Sequence, residues 1–219
     1  LYGQLIDGFG QMTETRSASI TINPPRKAVV SIGWAYDDVA PGCVFDSGLG
    51  INRMNYSATA RTFVWDSGED AGTVVKGDSV NFNEDIRVGG ATTGDDSGMY
   101  PDSVLEKYVR YNGFPQNTYG HRTASIHLSP GTYRLRLFCS LNSTYKNSTE
   151  FMKVQTVVDG VANVFELPDG YDVIGNLTRW LEQEITVPES GMFELQWGME
   201  NATKGWMEVP LNIIEIEET

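Results

Sequence analysis

The stretch Asn142-Ser143-Thr144-Tyr145-Lys146-Asn147-Ser148-Thr149 sets one phenol among polar residues. A ring in that company has no apolar sequence neighbours to pack against, so its face is available to a ligand. Comparable groupings recur along the chain. Trp34, Tyr36, Asp37 and Asp38 form one; Gln116, Asn117, Tyr119, His121 and Arg122 form a second. Asn176, Arg179 and Trp180 make a third, and Asn201, Lys204 and Trp206 a fourth. Aromatic rings flanked by amides, carboxylates and cations suit sugars: a pyranose lays its C–H face on a ring, while its hydroxyls need fixed donors and acceptors. The candidate binding residues are Trp34, Tyr36, Asp37, Asn117, Tyr119, Arg122, Asn142, Tyr145, Lys146, Arg179, Lys204 and Trp206. Tyr145 and Trp206 are the candidate stacking platforms. Trp34 and Trp180 adjoin apolar runs and serve equally well as plugs of a core.

Other chemistries have less support. Asp37-Asp38 and Asp95-Asp96 are adjacent carboxylates that make a structural calcium a candidate, although no EF-hand spacing is present. No cofactor is required. Two cysteines, Cys43 and Cys139, are too few for a zinc cluster or a disulfide scaffold; both read as free thiols, with a Cys43–Cys139 bridge in an oxidising compartment as the alternative. The two histidines form no helical zinc pair, and no Gly-x-Ser-x-Gly elbow occurs. Asp-Ser-Gly appears at Asp46-Ser47-Gly48, Asp66-Ser67-Gly68 and Asp96-Ser97-Gly98, which is turn chemistry repeated and not a nucleophile. Asn-x-Ser/Thr sequons at Asn55, Asn142, Asn147, Asn176 and Asn201 matter only in a eukaryotic secretory route.

The elements that must position these residues are strands. Apolar residues bunch or alternate at Ala28–Gly33, Thr62–Trp65, Ser103–Tyr111, Thr123–Leu128, Thr132–Ser140, Phe151–Val158, Ala162–Leu167, Leu181–Val187, Met192–Trp197 and Val209–Ile216. Tyr133-Arg134-Leu135-Arg136-Leu137-Phe138 alternates most clearly. Only Asp102–Tyr111 could be mistaken for a helix, and it is short, so it is read as a strand. The pattern predicts an all-β fold, a two-sheet antiparallel sandwich of the jelly-roll kind. Ser129-Pro130-Gly131, Asp159-Gly160 and Pro188–Gly191 read as tight turns, whereas 112–122, 141–150, 168–180 and 198–208 are long connections. Alternation of strand direction gathers the long connections, and with them the candidate residues, at one end. The first and last core strands are expected to pair. Residues 1–25 read as a linker or edge segment, and residues 26–219 as one domain.

Composition narrows the partners. The chain has 219 residues and a net charge of −13, which disfavours nucleic acid and anionic membrane surfaces. Apolar residues at 40% and charged residues at 21% describe a folded chain and not a disordered acidic tail. No apolar run approaches the roughly 20 residues of a membrane-spanning helix. The start at Leu1 suggests a piece of something larger.

One succession of motifs ties the chain to a family. A Gly-Trp closes the first strand, followed by Phe63-Val64-Trp65-Asp66-Ser67-Gly68 and a glycine-rich stretch. Then come Met99-Tyr100-Pro101-Asp102-Ser103-Val104, Ser129–Phe138 and Leu211-Asn212-Ile213-Ile214-Glu215-Ile216. In this order the chain resembles galactose-binding-like β-sandwich modules of bacterial polysaccharide-degrading enzymes, from about residue 28 to the end. The resemblance implies a non-catalytic carbohydrate-binding role, secretion or surface display, and a catalytic domain elsewhere in the parent protein. It also implies a buried calcium in many members. It transfers no binding residues, because the ligand loops vary most; here Ser140-Leu141-Asn142-Ser143-Thr144 follows Cys139 where relatives often carry an Arg. The expected ligand is a galactan-type, agar- or porphyran-like glycan. A structural or adhesion domain of a surface or phage assembly is the alternative, and a glycoside hydrolase working through two loop carboxylates is the third reading.

Overall fold

The computed structural model describes residues 2–6, 12–17, 24–40, 42–77, 86–113, 120–142, 149–201 and 207–219. In chain order the strands begin with β1 (Tyr2–Ile6), β2 (Met12–Ser17), β3 (Lys27–Ser31), β4 (Cys43–Asp46), β5 (Ile51–Met54) and β6 (Arg61–Val64). They continue with β7 (Asp70–Lys76), β8 (Ile86–Val88), β9 (Lys107–Gly113), β10 (Gly120–Leu128), β11 (Gly131–Phe138) and β12 (Met152–Val158). The last are β13 (Val161–Val164), β14 (Leu181–Val187), β15 (Met192–Met199), β16 (Met207–Leu211) and β17 (Ile213–Glu218).

Two six-stranded sheets form the body, ordered β13-β12-β15-β10-β7-β6 and β14-β11-β17-β3-β5-β4. This is the all-β sandwich that the apolar alternation predicts. In β11, Tyr133, Leu135 and Leu137 turn inward while Arg134 and Arg136 turn outward. Leu135 lies opposite Ile216 and Leu137 opposite Ile214, all four fully buried. Ile126, Phe193, Leu195 and Trp197 meet them from the facing sheet, also fully buried. Each such side chain contributes about 1.5–3 kcal/mol by leaving water. The first core strand does pair with the last: β3 runs antiparallel to β17. Among the described strands one pair departs from the antiparallel rule, since β3 and β5 run parallel through Val30–Asn52 and Ser31–Arg53. Asn52 sits at this junction, its amide donating to the carbonyls of Val29 and Val64.

A smaller sheet, β16-β9-β8, lies beside the first large one. The apolar run at 209–216, read as one strand, is two. Asn212 breaks it, and the chain passes there from the small sheet into the second large one. The run Ser103–Tyr111, read as a strand, also divides: Asp102–Leu105 is a short helix, α1, and the strand begins only at Lys107. Val104 and Leu105 of α1 join Trp34, Val39 and Trp180 in covering Val29, Ile51, Phe138 and Ile213. A second apolar cluster therefore coats the outer face of the second sheet. Strands β1 and β2 pair with each other and, among the described strands, with nothing else.

The tight turns differ from simple hairpins. Of the three turns read from the sequence, only Asp159-Gly160 joins neighbours in one sheet, with both residues at positive φ as a two-residue hairpin turn needs. Ser129-Pro130 and the turn at Pro188–Gly191 carry the chain from one sheet to the other. They still share an end, since the Leu128 N–H donates to the Gly191 carbonyl at 3.0 Å.

Candidate ligand groove

Strand register places the long connections together at the opposite end. Met199, the last residue of β15, faces both Gly120 at the start of β10 and Met152 at the start of β12. On the second sheet, Phe138 ends β11 opposite Ile213, which in turn faces Ser31 at the end of β3. The connections are also bonded to one another. The Leu141 N–H donates to Val173, the Gly175 N–H to Leu141, and the Asn142 N–H to Gly89.

The candidate residues are not equivalent within this end. Trp34 is a core plug: it is 7% exposed, its indole N–H donates to Ser31 Oγ at 2.9 Å, and Arg53 and Lys107 lie over its ring. Trp180 is similarly enclosed, with Arg136 over the ring and Met99 Sδ accepting the indole N–H at 2.8 Å. Arg122 points into the sandwich, where it faces Trp197 in register and its guanidinium donates to the Arg110 carbonyl. The inward phase of β10 removes it from the rim. Asn176 is buried, donating to the carbonyls of Cys139 and Arg179. Asp37 and Asn142 are exposed; Tyr36 and Asp37 belong to a single 3-10 turn. Arg179 is exposed and donates to the Asp169 carbonyl. Asn117, Tyr119, Tyr145, Lys146, Lys204 and Trp206 lie outside the described residues.

Between the ends of two long connections the surface opens into a groove of about 520 Å³. Its floor and one wall are Phe151, Met152, Phe165, Val164 and Leu167; its polar lip is Glu150, Lys153, Glu200 and Asn201. Val164 is 51% and Leu167 37% exposed, a contiguous apolar strip next to charge. The Glu200 N–H donates to the Phe151 carbonyl at 3.0 Å, extending the ladder by one step and fixing the two residues opposite each other. Lys153 Nζ lies 2.7 Å from Glu200 Oε1. Lys153 faces Gly198 in register, and a Cβ there would stand 1.9 Å from the Gly120 carbonyl oxygen. Only glycine fits there, because the backbone of Gly120 and His121 fills the position. Asn201 closes the lip in the left-handed conformation, at φ 54°.

Phe151, Lys153 and Glu200 stand out only in three dimensions. In sequence Phe151 is the first residue of an apolar strand and Lys153 its polar alternate. The signal available was position: Phe151 directly follows the polar stretch around Tyr145, and Asn201 directly precedes the segment with Lys204 and Trp206.

Among the described residues no group of three His, Cys, Asp or Glu could hold a metal ion. The Asp95 and Asp96 carboxylates accept backbone N–H groups of Ser97 and Asp102, and both Asp102 oxygens accept from Thr93 and Gly94. Those backbone bonds hold the Asp102 carboxyl below its usual range. This acidic turn is occupied with its own backbone. No described helix is long and apolar enough to cross a membrane.

No family model matches the chain. No curated protein matches it. Among solved structures, it is similar to the ANXUR2 extracellular domain from Arabidopsis thaliana, with a TM-score of 0.47 and 10% identity over 88% of this chain and 41% of that one. It is similar more faintly to the glycoside hydrolase domain of Spr0440, Endo-D, from Streptococcus pneumoniae R6, with a TM-score of 0.27, 10% identity, and coverage of 87% and 27%. The chain spans less than half the length of either. At those scores neither likeness says what this chain binds.

Proposed function

We propose that this chain is a non-catalytic carbohydrate-binding domain, carried by a larger secreted or surface protein and directing an attached enzyme to a galactan-type polysaccharide. The observation that supports this reading is the groove at the loop-rich end, where the Phe151–Val164–Leu167 strip adjoins the Lys153–Glu200 pair. A sugar ring needs that pairing of surfaces: apolar contact for its C–H face and charged or amide groups for its edge. The reading requires no cofactor. A few such contacts give roughly 4–8 kcal/mol, hence micromolar to millimolar affinity.

Affinity electrophoresis through gels containing agarose, porphyran and plant galactans tests it. At least one polymer retards the folded chain, and Phe151→Ala cuts that retardation about tenfold, the loss of roughly 1.4 kcal/mol. No retardation by any polymer refutes the proposal. Release of reducing sugar that disappears in Glu150→Gln or Glu200→Gln would instead make the groove a hydrolase site.

A second reading, a domain packed in an assembly, draws on β13. Among the described strands it pairs only with β12; it holds no charge or proline and exposes Val161 at 62%. Sedimentation at high concentration separates the two: an assembly domain self-associates, and Val161→Lys abolishes it.

A further inference from the structure

We propose that the Lys153–Glu200 pair reads a gauche vicinal diol, so that the groove selects glycans whose sugar units keep two free adjacent hydroxyls. The inference rests on the carbohydrate reading of the same groove and adds which sugars it accepts.

The argument is one of matched spacing. Nζ of Lys153 and Oε1 of Glu200 stand 2.7 Å apart on the outer face of the first sheet. Two gauche hydroxyl oxygens on neighbouring ring carbons are themselves about a hydrogen-bond length apart. One can accept from the ammonium while the other donates to the carboxylate, so the diol bridges the pair without breaking it. An ammonium carries three donors and a carboxylate about four acceptor positions, so each can hold a diol hydroxyl beside its other partners. The side chains are 22% and 42% exposed, so both heads can be reached. The backbone bond from Glu200 to the Phe151 carbonyl fixes the pair relative to the ring. A diol held at the lip thus brings the same sugar to the apolar lining of the groove, where Phe151 is partly buried against the core. Hydrogen bonds to charged groups are also the stronger kind.

Linkage chemistry turns this into a choice between galactans. A galactose linked through its O4 keeps free hydroxyls on carbons two and three. One linked through O3 keeps no adjacent ring pair, and the internal units of agarose have none.

The probes are a galactan linked through O4, the same polymer after periodate oxidation and borohydride reduction, and agarose. Wild-type chain binds the untreated galactan and loses about tenfold or more in affinity after periodate, the worth of one or two charge-assisted hydrogen bonds. Agarose binds at the weakened level. Glu200→Leu and Lys153→Met each lose about tenfold on the untreated galactan and fall by less than wild type on periodate treatment, which opens the sugar ring as well as removing the diol. Circular dichroism and thermal melting confirm that both variants fold. Equal affinity before and after periodate overturns the diol inference. So does a preference for agarose, or full affinity in both variants while Phe151→Ala weakens binding; in each case carbohydrate binding itself stands. No binding to these or any other polysaccharide overturns both.

Discussion

The side chain of Asn212 donates to the carbonyl of Leu105 across 2.8 Å, joining residues 107 positions apart in the chain. Its Oδ1 accepts the Ser140 N–H, also at 2.8 Å, and the residue has no exposed surface. One amide thus satisfies two buried backbone groups where the last strand leaves one sheet for another. Gly90 makes the approach possible, since a Cβ there would lie 2.8 Å from Asn212 Nδ2. Asn212→Ala leaves a carbonyl and an N–H buried without partners, at about 1–3 kcal/mol each. Urea denaturation should show a loss of about 2–5 kcal/mol; a loss under 1 kcal/mol would show that the clasp is dispensable.

That asparagine also marks how far the sequence could be read. Leu181–Val187 is found as the alternation predicts, because a strand with one wet face writes its period directly into residue types. Asn212 interrupts an apolar run by one polar residue, which looks like alternation and is a change of sheet. Strands β4, β5 and β7 gave no usable pattern. Ile51-Asn52-Arg53-Met54 buries a polar residue beside apolar ones because Asn52 bridges a parallel pair, and Asp70–Lys76 contains a glycine at a close approach. The site divides along the same line. Clustering of the long connections followed from strand direction alone. Which rings stay outside did not, because Trp34 and Trp180 are claimed by an apolar layer on the outer face of the second sheet. That layer depends on α1 folding back, and no local signal announces it.

The two cysteines are free, as their small number suggested, and burial raises both thiol pKa values, to about 11 for Cys43 and about 12 for Cys139. Reaction requires the thiolate, which at pH 8 is on the order of a thousandth of Cys43 and less of Cys139. Ellman's reagent should therefore titrate neither at pH 8 in the native chain and both in guanidinium. Cys43, only partly buried, reacts first as pH is raised. Rapid native labelling of Cys139 would contradict its full burial.

Arg26 and Glu218 form an ion pair at the tight-turn end, and the Arg26 guanidinium holds the Glu218 carboxyl below the usual range. A carboxylate lowered on folding contributes stability that is present above its unfolded pKa, 4.5, and lost as pH falls through the folded value. The denaturation midpoint of wild type should thus fall between pH 5 and pH 3 more steeply than that of Glu218→Gln. Above pH 6 the two curves should run parallel. Identical acid limbs would mean the pair is screened into irrelevance, as exposed ion pairs often are.

Tryptophan emission separates the groove from the rest of the molecule. Of the five tryptophans, Trp34, Trp65, Trp180 and Trp197 are 7%, 2%, 8% and 0% exposed, and each is packed in one of the two apolar clusters. A saccharide bound at the loop-rich end cannot touch those four indoles without unpacking the core. The expected source of a ligand-induced emission change is Trp206, which follows Glu200 and Asn201 of the groove lip closely in sequence. Titrating a retarding oligosaccharide should shift emission in wild type, and Trp206→Phe should abolish the shift. The same substitution should leave the thermal midpoint unchanged if the ring serves the ligand and not the core. Persistence of the shift in Trp206→Phe would assign it to one of the four packed indoles and overturn the role given to Trp206.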